Sequence, residues 1–156
     1  MDPAEQVSSH RGQQNRFLAV AVALTAMLCG PANASAEHKS KSGLSLELNG
    51  LDQNGEACRA TLIARNGFEA TLDQTAFELV IFDKAGLISL MTVFDFGALP
   101  AGKTLVRRFD LPKIDCSDLT RILVNGVSRC AGEGVDLARC ETHFTTENRA
   151  EIEFGR

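Results

Sequence analysis

The chain has 156 residues and a net charge of −4, with 16 Lys and Arg against 20 Asp and Glu. That mild acidity argues against nucleic acid, which wants a basic face to displace phosphate counterions, and against an electrostatic hold on anionic lipid. Trp and Tyr are absent, so an aromatic platform for sugars or bases would have to be built from Phe, and most Phe residues fall on strand patterns.

The first element in chain order is a secretory signal. Arg11 and Arg16 precede an uncharged apolar run from Phe17 to Leu28, and the small-residue tripeptide Ala34-Ser35-Ala36 follows. A basic start, a short apolar middle and an Ala-x-Ala end are the three parts of a signal peptide. As a helix the apolar run reaches about 18 Å, too short for a hydrocarbon core of about 30 Å. Cleavage is expected between Ala36 and Glu37. Leu28 is too large for the residue that precedes a lipidated Cys, which argues against Cys29 as an anchor. Asp2 and Glu5 balance Arg11 and Arg16, so the processed chain keeps the whole negative charge. It carries no second run of membrane-spanning length, and the address implied is periplasmic or secreted.

Residues 37–42 read as a mobile polar lead, and residues 43–156 as the folded domain. Leu44, Leu46 and Leu48 alternate with Ser45, Glu47 and Asn49, the pattern of a strand with one buried face. After the turn signal Asp52-Gln-Asn-Gly55, Cys58, Ala60, Leu62 and Ala64 form an inward row. Asn66-Gly67 ends that strand. Phe77–Phe82 and Leu87–Phe94 flank Asp83-Lys-Ala-Gly86 and predict a hairpin. Both runs lack clean alternation, which predicts central strands partly covered on both sides, or a bulge. Leu99-Pro-Ala-Gly102 is a turn, and Thr104–Leu111 returns as a strand that Pro112 stops. Arg107 and Arg108 must point to opposite faces, and Arg108 is expected inward at a sheet margin.

Asp115-Cys-Ser-Asp118 and Asp136-Leu-Ala-Arg139 suggest two short capped helical turns. Ile122–Val127 is a β run in which Asn125-Gly126 marks a tight turn or bulge. His143–Thr146 and Ala150–Phe154 supply the last strands, with Glu151 and Glu153 outward as on a guarded edge. Seven or eight short strands predict an all-β fold, an antiparallel β-sandwich of two packed sheets, with a small closed barrel as the competing layout.

Of five cysteines, Cys29 leaves with the signal and Cys58, Cys116, Cys130 and Cys140 remain. An even number in an exported chain reads as two disulfides, in one of three connectivities. The Gly-rich stretch between Cys130 and Cys140 favours a bridge between them, leaving Cys58 to Cys116. No C-x-x-C spacing supports a metal or redox site.

Glu78-Leu-Val-Ile-Phe-Asp83-Lys-Ala-Gly86, followed by Leu99-Pro-Ala-Gly102-Lys-Thr and then Phe109, resembles the FxLYD-type extracytoplasmic domains of bacteria. The resemblance covers residues 60–112 and implies an immunoglobulin- or fibronectin-like sandwich; Phe82 stands where that family has an aromatic before the acid. The four-cysteine arrangement is not part of the pattern. The chain as a whole is similar to small exported proteins of proteobacteria.

Catalytic parts are thin. A Ser-His-acid arrangement needs an imidazole, and His143, the one His in folded sequence, is expected on a solvent-facing strand. Asp83, Asp95, Asp110, Asp115 and Asp118 are the carboxylates a hydrolase could draw on, but Asp at strand ends and turns usually bonds its own backbone. No cofactor or metal motif appears. The expectation is therefore a non-catalytic interaction module that binds another envelope protein. A carrier of a small apolar ligand, with a cavity lined by Phe77, Leu79, Phe94 and Phe109, is the alternative, and a carboxylate hydrolase a more distant one. An exposed apolar patch would favour the partner reading.

Overall fold

The first alternating row is buried as its spacing requires. Leu44, Leu46 and Leu48 on strand β1 (Leu44–Asn54) are each at most 1 % exposed. They face Cys58, Ala60, Leu62 and Ala64 of β2 (Ala57–Asn66), the second inward row, which is buried to the same degree. Burying each leucine contributes about 2 kcal/mol by transfer from water. The two strands form an antiparallel hairpin, and Gly55 takes the positive φ of 60° that its turn demands.

The structure, a computed structural model, describes residues 42–156. The signal segment, the Ala36–Glu37 cleavage point and all but Ser42 of the polar lead lie outside the described residues. The remaining strands are β3 (Leu72–Asp83), β4 (Ile88–Asp95), β5 (Thr104–Pro112), β6 (Leu119–Gly132), β7 (Phe144–Asn148) and β8 (Glu153–Gly155). A 3-10 turn covers Cys116–Asp118, and a short helix α1 covers Leu137–Thr142. No described helix is long and apolar enough to cross a membrane.

The strands form two four-stranded sheets, ordered β5-β2-β1-β7 and β4-β3-β6-β8. Their inner faces meet through aromatic side chains. Phe77 of β3 stacks on Phe144 of β7 at 5.4 Å, and Phe94 of β4 meets Phe109 of β5 edge-on at 4.6 Å. The fold is thus an all-β sandwich of eight strands. It is not purely antiparallel: β7 runs parallel to β1, and β8 parallel to β6. After β6 the chain passes through a turn and α1 into the other sheet, so β7 enters beside β1 in the same direction. Hairpins, which enforce antiparallel pairing, link only the earlier strands.

Three further expectations are corrected. β3 is central, but β4 is an edge strand with β3 as its only neighbour among the described residues; its apolar run reflects exposure on one side, not cover on two. The expected bulge is present where the register shifts between Ile81 and Phe82. Arg108 is exposed rather than inward, because Arg107 is the one that shares a face with Leu105, Phe109 and Leu111. Only Glu153–Gly155 of the last alternating run pairs, although Glu151 and Glu153 do point outward.

Gly126 sits at a register shift in β6, so Asn125-Gly126 is a bulge and not a turn. The two bridges are Cys58–Cys116 and Cys130–Cys140. The first ties β2 to the 3-10 turn that leads into the other sheet. The second fastens α1 to β6.

Candidate functional site

The feature that stands apart is β4. Six large apolar side chains are exposed among the described residues, and four of them belong to β4 or the turn before it: Leu87 (65 %), Ile88 (61 %), Met91 (54 %) and Val93 (40 %). From Leu87 to Phe94 the strand carries no charge, no Pro and no Gly.

The register explains the exposure. Phe77, Leu79 and Ile81 of β3 face inward, opposite Phe94, Thr92 and Leu90; Val93 and Met91 lie opposite Glu78 and Val80 on the outer face. Phe96 N donates to Thr75 O at 2.8 Å. In an antiparallel ladder hydrogen-bonded pairs alternate, so Phe94, Thr92 and Leu90 bond to β3. The N–H and C=O groups of Asp95, Val93 and Met91 then point away from β3, along the open edge. The same outer-face residues offer both apolar side chains and free backbone groups.

The other three edge strands are protected. β5 carries Arg107, Arg108, Asp110 and Pro112; β7 is five residues long with Glu147 on it; β8 is three residues long with Glu153. Charge, Pro and brevity are the usual means of keeping a sheet edge from pairing with another chain. β4 has none of them until Asp95, whose carboxylate is held by Arg129 at 2.6 Å.

β5 lies beside β4 in the other layer, on the same open side of the sandwich. Phe94–Phe109 and Phe96–Phe109 (5.5 Å) join them. Arg107 reaches across this side, its Nη2 3.9 Å from where a Cβ on Gly97 would be, just past the end of β4.

The acidic residues serve local structure. Asp83 Oδ1 accepts from Ala85 N and Leu87 N, each at 2.9 Å, and shapes the β3–β4 turn. Asp95 Oδ1 accepts from Gly97 N. Asp115 caps the 3-10 turn through Ser117 N at 2.8 Å, and that bond holds its carboxyl below the ordinary range. Asp110 is gripped by Arg59 through two bonds of 2.7 and 3.0 Å, which lower its pKa and raise that of Arg59. Asp118 pairs with Lys84. Asp83, Asp115 and Asp118 do line one cleft of about 380 Å³ with Ser89 and Lys113. The shift at Asp115 is downward, opposite to what a general acid near neutral pH requires.

Phe77, Leu79, Phe94 and Phe109 come together between the sheets, and Phe96 and Phe144 pack among them. A cleft of about 700 Å³ lies elsewhere, lined by Ser42, Phe68, Glu69, Glu133 and Arg139 among others. His143 is exposed, but as the C-cap of α1 rather than on a strand; its Nδ1 is 3.0 Å from Arg139 O. Both expected short helical turns are present, the 3-10 turn capped by Asp115 and α1 capped by Asp136. No group of three or more His, Cys, Asp or Glu among the described residues could hold a metal ion.

What sequence reasoning missed was the edge position of β4. The run from Leu87 to Phe94 is uncharged in the sequence, but an edge position depends on strand order, which no local pattern declares. Comparison with protein-family models, with curated proteins and with solved structures gave no match.

Proposed function

We propose that the protein is an exported, non-catalytic interaction module of the cell envelope, periplasmic or secreted, which takes up an extended segment of a partner polypeptide along β4. The carrying observation is the contrast among the four sheet edges: three are guarded, and the fourth is apolar and uncharged from Ile88 to Phe94. An edge of that kind is an aggregation hazard unless a partner covers it. Strand addition uses the features β4 presents, with free backbone groups for affinity and alternate side chains for selectivity. Two disulfides accord with an oxidising compartment, and the resemblance of residues 60–112 to FxLYD-type domains accords with an extracytoplasmic setting.

A photo-crosslinking amino acid placed at Met91, with the same group at Leu137 on α1 as control, tests this in the native envelope. A defined adduct at Met91 that maps to an extended segment of one partner, and does not form from Leu137, is the expected result. No adduct at Met91, or the same adducts from both positions, would count against the proposal.

A further inference from the structure

The open side of the sandwich carries a second feature, which bears on what β4 receives. Six described cations are in ion pairs: Arg59, Lys84, Arg121, Arg129, Arg149 and Arg156. Lys103, Arg107 and Arg108, on β5 and the turn before it, are exposed and in none. Arg65 on β2, Lys113 after β5 and Arg139 on α1 are also in none, but in a chain of net negative charge Arg107, with Lys103 in the turn before its strand, stands on the side of the one unguarded apolar edge.

From the juxtaposition of the apolar strand β4 with the unpaired cations of β5, we infer that the partner segment is an extended apolar strand bearing acidic side chains. The inference rests on the proposed use of β4 and adds the chemistry of its occupant. The backbone of the segment pairs with the outward N–H and C=O groups of Met91, Val93 and Asp95. Its apolar side chains continue the outer face beside Val93 and Met91. Its carboxylates meet Arg107, which already leans towards Gly97, and Lys103 in the turn before β5.

A second copy of this chain fits less well. Two copies paired through β4 would gather two sets of the same cations and bring no free acid to them. The acids closest to β4 are engaged: Asp95 by Arg129, Asp110 by Arg59, Glu78 by Asn125, and Asp83 by the N–H groups of Ala85 and Leu87 in its own turn. Like charges in an interface oppose association, and complementary ones direct it.

Two short synthetic peptides provide the test. They share an alternating valine–threonine core and carry either glutamates or lysines at both ends. Binding to the purified processed protein is followed by fluorescence anisotropy. The acidic peptide should bind about tenfold tighter than the basic one, as two or three exposed charge pairs would give. The preference should shrink with added salt. Lys103→Glu with Arg107→Glu, both at exposed positions, should reverse it. Val93→Pro removes an edge-facing N–H while leaving the ladder to β3, and should weaken both peptides. Equal binding of the two peptides, still weakened by Val93→Pro, would overturn the acidic partner and leave the β4 reading standing. A β4-dependent dimer that excludes both peptides would do the same. Absence of binding by either peptide to a monomeric protein would overturn both.

Discussion

Gly126 vacates the space that Glu141 occupies. A Cβ on Gly126 would lie 2.9 Å from Glu141 Oε1, the atom that accepts from Val127 N at the bulge of β6. The other carboxylate oxygen, Oε2, accepts from Arg156 Nη2. One helix side chain thus closes an irregularity in the strand it packs against, and a glycine makes the approach possible.

Gly126→Ala should push Glu141 aside and lose the bond to Val127 N, at a cost of about 1–2 kcal/mol. Gly132→Ala should cost more, at least about 3 kcal/mol, because its Cβ would fall 2.2 Å from the backbone oxygen of Thr71, which cannot swing away. Denaturant melts of the two variants would rank them, and the reverse order would count against this account of the bulge.

Asn66 is fully buried and fully bonded. Its Nδ2 donates to Ala70 O and Leu99 O at 2.8 and 2.9 Å, and its Oδ1 accepts from Phe68 N at 2.9 Å. Asn66→Ala would strand Ala70 O and Phe68 N and leave Leu99 O with its bond from Leu72 N alone, for a loss of about 2–4 kcal/mol. A loss under about 1 kcal/mol would mean that water replaces the amide readily.

The bridges should differ in worth. Cys58–Cys116 spans 58 positions and Cys130–Cys140 spans 10. Chain entropy alone assigns about 4 kcal/mol to the longer loop and about 2.7 kcal/mol to the shorter. Paired Cys→Ser variants, unfolded in denaturant, would show whether that order holds. The unfolded wild type without reductant should titrate no free thiol from these four residues.

Asp110 gives stability a dependence on acid. Its carboxyl lies below the ordinary 3.8, chiefly because Arg59 bonds to the charged form. A lowered folded-state pKa stabilises in full above the unfolded value, and the gain fades as the pH falls through the folded value. Asp110→Asn should therefore melt below the wild type at neutral pH, with the gap closing as the pH drops below about 4. Thermal melts across that range are the measurement; a gap that survives unchanged into strong acid would show that the ionised carboxylate is not its source.

Met91→Lys alters an exposed edge position, so melting should stay within about 0.5 kcal/mol of the wild type. Heat-induced aggregation should slow, since a lysine is what the other edges would lead one to expect here. Light scattering during a thermal ramp decides it, and unchanged aggregation would indicate that another surface initiates clustering.

Much of the fold was legible from alternation. Leu44–Leu48 and Cys58–Ala64 each declare a buried face, and Asp83–Gly86 and Leu99–Gly102 declare their turns, because these are local properties of the chain. The even number of cysteines pointed to two bridges, and the Gly-rich stretch favoured the observed pairing without fixing it. The parallel neighbours of β1 and β6 were not legible, since periodicity fixes which side chains turn inward and not which strand lies alongside. β4 was misplaced for the same reason: an apolar run looks alike whether sheet or solvent covers its second face. The candidate site was therefore hidden, because it is a property of the strand order. Arg107 belongs to it only because β5 lies beside β4 across the layers.

The pairing of Leu44 with Phe144 and of Ile122 with Phe154 has a consequence in time. The β5-β2-β1-β7 sheet can acquire its second flank only after nearly all the described sequence is present, so contact order is high and folding should belong to the slow, millisecond-to-second class of β proteins. Until that late docking, the margin of β1 lies bare as well as that of β4, and the interval before closure is when the chain is most open to wrong strand pairing.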